Sequence, residues 1–335
     1  MKHFTPAYSN KALVALMTLA ALPALCLLVF KWVSLAPMPA PVVAPRARPT
    51  APLCFTAESD DAAVALMEAD EDDNGTDGEA PEVSLEISTD GENWTEWEKP
   101  RQVALPRKGD KVFVRAAGEN QAFGGGDQFS AWEESQDGLF YHIEQFFPTA
   151  CNRFAIVGQV AASGDVMSLL DRNGKLRSLA ERPFAFWGLF SGCHGLTTPP
   201  ELPATRLDAY CYYKMFKGCT GLRAAPKLPA TALAESCYHA MFEGCTGLKI
   251  APELPATKLA RECYSRIFMN CPSLTAAPKL PATKMEDSCY SEMFRGCAGL
   301  RIAPEVPKGV DLTGRDCIGM FKGCEQLNDD PNKKK

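Results

Sequence analysis

The chain has 335 residues, 46% hydrophobic and 23% charged, which is enough apolar material to bury at least one sizeable core and argues against a wholly disordered protein. Its formal charge of -6 gives no indication of nucleic-acid binding. Four histidines (His3, His142, His194, His239) leave few general bases or metal ligands, whereas 14 cysteines are many for a reducing compartment. Charge is unevenly spread: residues 54–100 hold 16 acids and one base, net -15, while residues 170–335 hold 23 bases and 17 acids, net +6.

A short N-terminal segment (1–11) contains Lys2 and Lys11, and an uncharged apolar run follows from Ala12 to Phe30. Nineteen residues at 1.5 Å rise span about 28 Å, close to the hydrocarbon thickness of a bilayer. Lys31-Trp32 resembles an interfacial stop, so residues 12–30 read as a transmembrane anchor. Ser34-Leu35-Ala36 also fits a cleavage site, so a cleaved signal stays open, as does a lipoprotein signal at Cys26. Each reading exports the rest of the chain, to a membrane-anchored cell-surface or envelope position, or to the exterior if the segment is cleaved. Residues 31–53 are rich in Pro and Ala and form a semi-rigid linker.

Residues 54–165 predict an antiparallel β-sandwich-like domain. Short β-prone runs occur at Ala63–Met67, Val83–Ser88, Trp94–Glu98, Val112–Ala116, Leu139–Glu144 and Phe154–Val157. Turn signals separate them at Asp90-Gly91, Lys108-Gly109 and Gly124-Gly125-Gly126. Asp70, Asp72, Asn74 and Gly75 match the start of an EF-hand loop, but its twelfth position is Pro81, which cannot complete a calcium shell. A solvated acidic hairpin loop accounts for the string better. Cys54 and Cys151, flanking this segment, could close it with one bridge.

Residues 166–327 are repetitive. Cys193, Cys219, Cys245, Cys271 and Cys297 are spaced by 26, and Cys324 follows after 27. Units start at Leu170 (degenerate), Leu196, Leu222, Leu248, Leu274 and Leu300, and residues 328–335 form a polar tail. In each unit a short extended stretch ends at a Pro corner such as Pro226, because Pro fixes φ and lacks an N–H. The stretch from Thr231 to Phe242 predicts a helix, capped by Thr231, with Leu233, Cys237 and Met241 at i, i+4 and i+8, and ended by Gly244 at positive φ. One unit cannot bury its apolar face but a stack can, so the expected fold is α+β: the sandwich-like domain followed by a right-handed strand–helix solenoid.

The strings Met215-Phe216-Lys217-Gly218-Cys219-Thr220-Gly221-Leu222, Met241-Phe242-Glu243-Gly244-Cys245-Thr246-Gly247-Leu248 and Met293-Phe294-Arg295-Gly296-Cys297, with Leu-Pro-Ala-Thr blocks at 202–205, 228–231, 254–257 and 280–283, resemble BspA-like leucine-rich repeats. Pieces of residues 81–165 resemble the module that precedes such repeats. The resemblance implies a secreted or surface-attached protein that binds a protein or glycoprotein ligand without catalysis. This unit is longer than the commoner BspA repeat and carries paired cysteines, so no particular ligand carries over. The alternative function is a structural envelope spacer without a ligand.

Cys pairs eight apart (Cys211/Cys219, Cys237/Cys245, Cys263/Cys271, Cys289/Cys297) would be about 12 Å apart in a helix, too far for a bridge. A buried thiol ladder is therefore favoured, with disulfides the alternative. No C-x-x-C pair supports zinc, and no cofactor is expected. An enzyme would have to use His142 or His194, neither of which sits in a nucleophile, carboxylate or phosphate-loop motif, so no enzyme is expected. The candidate binding face lies in the extended part. Its sixth position alternates in sign (Glu201, Lys227, Glu253, Lys279, Glu305), which would fix the register of stacked units. Its second position carries Arg223, Lys249 and Arg301 with Thr197 and Thr275, three bases and no acid, which favours an acidic partner.

Overall fold

The computed structural model describes residues 51–70, 79–134, 140–173 and 175–328. The anchor or signal segment 12–30, Cys26, most of the linker, the central part of the acidic loop and residues 329–335 lie outside them. No helix among the described residues is long and apolar enough to cross a membrane.

Two sheets come first. One has the order β10-β9-β1-β6-β3-β4, from β1 (Leu53–Ala57), β3 (Leu85–Ser88), β4 (Thr95–Glu96), β6 (Lys111–Ala116), β9 (Val160–Ser163) and β10 (Leu196–Thr198). The other has the order β5-β2-β8-β7, from β2 (Ala62–Asp70), β5 (Gln102–Leu105), β7 (Gly124–Glu134) and β8 (Phe140–Val157). Pairing within the two sheets is antiparallel except for β10, which joins β9 in parallel, and the sides alternate as a half-buried strand requires: Val112, Val114 and Ala116 of β6 point inward between more exposed neighbours. Phe55 of the first sheet meets Phe154 of the second edge-on, centroids 4.9 Å apart, within one shared core.

Two expectations for this domain need correction. Residues 140–144 of the first run and Phe154–Val157 belong to one 18-residue strand, β8, rather than two, and Leu139 lies outside the described residues. Gly124-Gly125-Gly126 is not a turn but opens β7, with a register shift at Gly125/Gly126. Glycine is needed there because a Cβ at Gly124 would lie 2.6 Å from the Trp187 ring, so the backbone must approach closely.

The repeats are not helical, and the strand–helix solenoid is corrected to a stack of coils built from turns. In the stretch expected to be a helix, every fourth residue is left-handed: Tyr210, Lys214 and Gly218 have φ of 57°, 52° and 73°, and Ser236, Ala240 and Gly244 have 48°, 52° and 71°. Alternate amides make i→i−3 turns, Cys211 N–H to Asp208 O, Tyr213 to Tyr210, Met215 to Tyr212 and Lys217 to Lys214. The amides between them cross to the next coil: Tyr210 N–H to Glu235 O at 3.0 Å, Tyr212 to Cys237, Lys214 to His239, Phe216 to Met241 and Gly218 to Glu243. The left-handed residue is the third of each alternate turn, where a type II turn requires positive φ. Thr231 therefore caps no helix, while Gly244 does have the positive φ expected of it. The extended parts are shorter than expected, reduced to single parallel bridges such as Ala224↔Ile250 and Ala276↔Ile302, apart from β10.

Equivalent side chains stack into continuous rows. One row runs Phe154, Phe190, Phe216, Phe242, Phe268, Phe294 and Phe321, with successive centroids 5.3–6.0 Å apart and interplanar angles of 0–17°. It starts inside the β-sheet domain, which also seals the first coil: Phe123 N–H donates to Ala185 O and Phe154 N–H to Leu189 O. A second row runs Phe186, Tyr212, Tyr238, Tyr264 and Tyr290. The four Tyr hydroxyls are buried without a hydrogen-bond partner among the described residues, so ring contact rather than polar bonding holds this row.

The described cysteines are buried thiols, Cys54 and Cys151 included, so no bridge closes the β-sheet domain. The thiols of one row bond from coil to coil. Cys219, Cys245, Cys271, Cys297 and Cys324 donate at 3.0–3.1 Å to the Phe190, Phe216, Phe242, Phe268 and Phe294 carbonyls of the preceding coil. Burial pushes Cys245 and Cys263 up to about 12 and Cys289 to about 11. They stay protonated at neutral pH, and the thiolate needed for oxidation or alkylation is not formed.

Two outcomes are expected. Ser288 is left-handed at φ 54° and half-buried, so Ser288→Gly should raise stability by about 0.5–1 kcal/mol. Gly244→Ala, where a Cβ finds room but φ is 71°, should lower it by about 1 kcal/mol. Denaturant midpoints of the two variants check this, and equal shifts of the same sign would refute the left-handed coil. For the thiols, a titration without reductant should find the coil cysteines unreactive until guanidinium unfolds the chain, and mass spectrometry should find no bridges among them.

Candidate functional site

The second-position row lies on the outer surface, and all three of its bases are exposed. Its backbone is laid down coil on coil, Lys249 N–H donating to Arg223 O at 3.2 Å and Arg301 N–H to Thr275 O at 2.9 Å. Arg223 and Lys249 share a shallow groove of about 430 Å³ with Thr197, Thr220, His194 and Ser273. Its floor is Gly195, Gly221 and Gly247, which are glycine because the coils nearly touch: a Cβ at Gly221 would lie 2.5 Å from His194 O, and one at Gly247 2.5 Å from Thr220 O. Across the floor, Thr220 Oγ1 and His194 Nδ1 lie 3.4 Å apart. No carboxylate lines this groove. Neither Arg223 nor Lys249 makes an ion pair or side-chain hydrogen bond among the described residues, so both cations face solvent unmatched.

At the end nearest the β-sheet domain, Gln159 completes the groove, and Thr197 Oγ1 donates to Glu58 Oε2 at 2.7 Å. Glu58 and Lys108 belong to a neighbouring depression that Arg223 also borders. Arg301 lies two coils beyond Lys249, and its Nε donates to Gln326 Oε1 at 3.0 Å. The structure thus brings Arg223 and Lys249 together and leaves Arg301 apart.

The sixth-position residues sit elsewhere. Lys227 and Glu253 line a different depression, walled by Pro226, Pro229, Pro252 and Pro255. Lys279 Nζ pairs with Glu305 Oε2 at 2.7 Å, but Glu201, Lys227 and Glu253 make no ion pair among the described residues, so the alternation there is not a continuous ladder. A continuous one does exist on the turn side, at a column outside the predicted binding face. Glu235, Arg261, Asp287 and Arg315 follow one another through four coils, with closest contacts of 3.7, 3.9 and 3.1 Å. Glu235, Arg261 and Asp287 recur every 26 residues and form one more column of alternating sign in the aligned units, whereas Arg315 follows after 28 and falls outside it. Arg266 and Glu292, 2.7 Å apart, add a further contact between coils.

Of the two histidines considered as bases, His194 lines the groove with no carboxylate beside it, and His142 lies in β8 outside the residues whose side chains are described. Among the described residues no group of three or more His, Cys, Asp or Glu could hold a metal ion. The EF-hand-like string falls largely outside the described residues.

Asp165 is a buried carboxylate at the junction of the β-sheet domain and the coils. It accepts from Met167 N–H at 2.7 Å, and burial raises it from 3.8 to about 6 against that bond and the Arg177 charge. Comparison with protein-family models, curated proteins and solved structures finds no match for the chain.

Because the folded-state value of Asp165 lies above the unfolded one, the folded chain holds this proton more tightly between about pH 4 and 6. Stability from this group is present below pH 4 and lost as pH rises through 6. Asp165→Asn, which keeps an acceptor for Met167, should raise stability at pH 7 by roughly 1–3 kcal/mol and flatten that part of the pH profile. Denaturant titrations across pH 3.5–7 check it, and an unchanged slope would refute it.

Proposed function

We propose that this chain is an exported, non-catalytic repeat protein of the BspA-like leucine-rich type, held at a membrane through residues 12–30 or released by cleavage, that binds an acidic protein or glycoprotein partner. The observation that carries the reading is the unmatched pair Arg223 and Lys249 in a groove without carboxylates. Bases on the turn side contrast with it, since Arg261, Arg266 and Arg315 are each met by carboxylates of other coils. Two exposed apolar side chains, Ile250 and Ile302, stand beside Lys249 and Arg301 in the next column and offer contact area to a macromolecule. Surface cations that nothing neutralises among the described residues raise the rate and selectivity of meeting an acidic surface.

Reversing Arg223, Lys249 and Arg301 to Glu together is expected to leave the fold intact, since all three side chains are exposed. Binding of full-length protein to immobilised acidic glycoproteins should then be lost, along with its salt dependence. The measurement is retention across a salt series, with near-ultraviolet dichroism of the stacked rings as the control for folding. Unchanged retention would move the site off this row.

A further inference from the structure

Resting on that reading, we infer that the groove over Gly195, Gly221 and Gly247 is a subsite for a linear acidic polysaccharide chain, with about one sugar ring per coil, rather than for an acidic peptide. Three observations point this way.

The first is spacing. Coils joined by bridges such as Ala224↔Ile250 are about 4.8 Å apart, and each brings one side chain of the second position to the same wall, Thr197, Arg223 and Lys249 in turn. A pyranose ring linked through opposite sides advances by nearly this distance, so successive rings keep step with successive coils, and because such a chain turns from ring to ring the long Arg223 and Lys249 side chains would meet its anionic groups from either edge. An extended peptide presents side chains on one face every two residues, about 6.6–6.8 Å, and slips out of step by roughly 2 Å per coil.

The second is the donor set. The groove offers two cations and the hydroxyls of Thr197, Thr220 and Ser273, with His194 beside Thr220. Thr197 and Ser273 already donate to Glu58 Oε2 and Thr246 O at 2.7 and 2.6 Å, so their oxygens are left to accept from sugar hydroxyls, and the unpaired cations suit a carboxylate or sulfate on the ring. The third is shape. A floor of three glycines, closed to any Cβ at Gly195, Gly221 and Gly247, provides no pockets for alternate side chains, on which peptide recognition along an edge depends. It provides a flat track along the stacking axis.

The test is calorimetry of the full chain with four probes: an oligogalacturonate, a heparin-derived hexasaccharide, poly-glutamate and a neutral dextran oligomer. Both acidic oligosaccharides, or one of them, should bind, the tighter identifying carboxylate or sulfate as the preferred anion. Dextran should not bind, and poly-glutamate should bind at least about tenfold more weakly. Arg223→Gln with Lys249→Gln should weaken the oligosaccharide by about tenfold or more, while Lys227→Gln, in the other depression, should not change it. Thr220→Val with Ser273→Ala should weaken the oligosaccharide and leave poly-glutamate unaffected. Equal or tighter binding of poly-glutamate, or binding of oligosaccharide insensitive to both double variants, would overturn the inference. If no oligosaccharide binds while glycoprotein retention still depends on Arg223, Lys249 and Arg301, this inference fails and the acidic-partner reading stands. Loss of that dependence as well would remove both.

Discussion

Everything in the repeat region follows from a division of labour among backbone amides. In an α-helix every interior N–H bonds within its own segment, which leaves nothing to join one segment to the next. Here alternate amides turn back three residues and the others reach the neighbouring coil, so one stretch of chain satisfies itself and its neighbour. The arrangement requires a left-handed residue at every fourth position. Glycine fills some of these positions, but Tyr210, Ser236, Glu262 and Ser288 do not escape the conformational cost of about 1–2 kcal/mol each. Crossing bonds and the burial of Phe, Tyr, Met, Leu and Cys rows must outweigh it, so the coils hold together only as a stack.

That division also explains how much of the fold could be read from the residues. The 26-residue period and most of the β-prone runs were legible, because each depends on a local signal such as self-similarity or alternation. The helix was not there, and its apparent signal had another source. Leu233, Cys237, Met241 and Cys245 recur at steps of four, whereas a helix turns every 3.6 residues, so each step drifts by about 40° and the fourth residue leaves the face. A ribbon whose conformation itself repeats every four residues has no such drift. Two cysteines eight apart are two full periods of that ribbon. The thiol reading rested on a helix that does not form, yet its conclusion stands for a different reason: the Cys245 row is occupied in donating to carbonyls of the preceding coil.

Of the site, composition of the second-position column was legible and its surroundings were not. Arg223, Lys249 and Arg301 could be found by aligning units, but which neighbours neutralise them depends on how coils stack. Gln326 reaches Arg301 from near the end of the described chain, His194 and Thr220 enter the groove from two positions before the leading leucine, and Ser273 enters from the glycine column one position before it. The glycines beneath them carried a local signal, G-L at the start of most units, whose meaning is close approach between coils rather than a turn.

The placement of charge then separates the two sides of the stack. On the turn side, Glu235, Arg261, Asp287 and Arg315 neutralise one another across coils, and Lys217 approaches Glu243 at 3.5 Å. Exposed pairs of this kind stabilise by only roughly 0–1 kcal/mol each, so their main effect is to penalise a stack shifted by one unit, in which like charges would meet. Along the groove the same stacking brings Arg223 and Lys249 side by side with no acid between them, which is the arrangement that register alone would disfavour. A surface that tolerates this repulsion on one side while cancelling it on the other keeps its free positive charge where a linear anion can lie along the axis. Selection for stability alone gives no reason for two adjacent bases unpaired among the described residues, and the acidic ligand we propose would supply one.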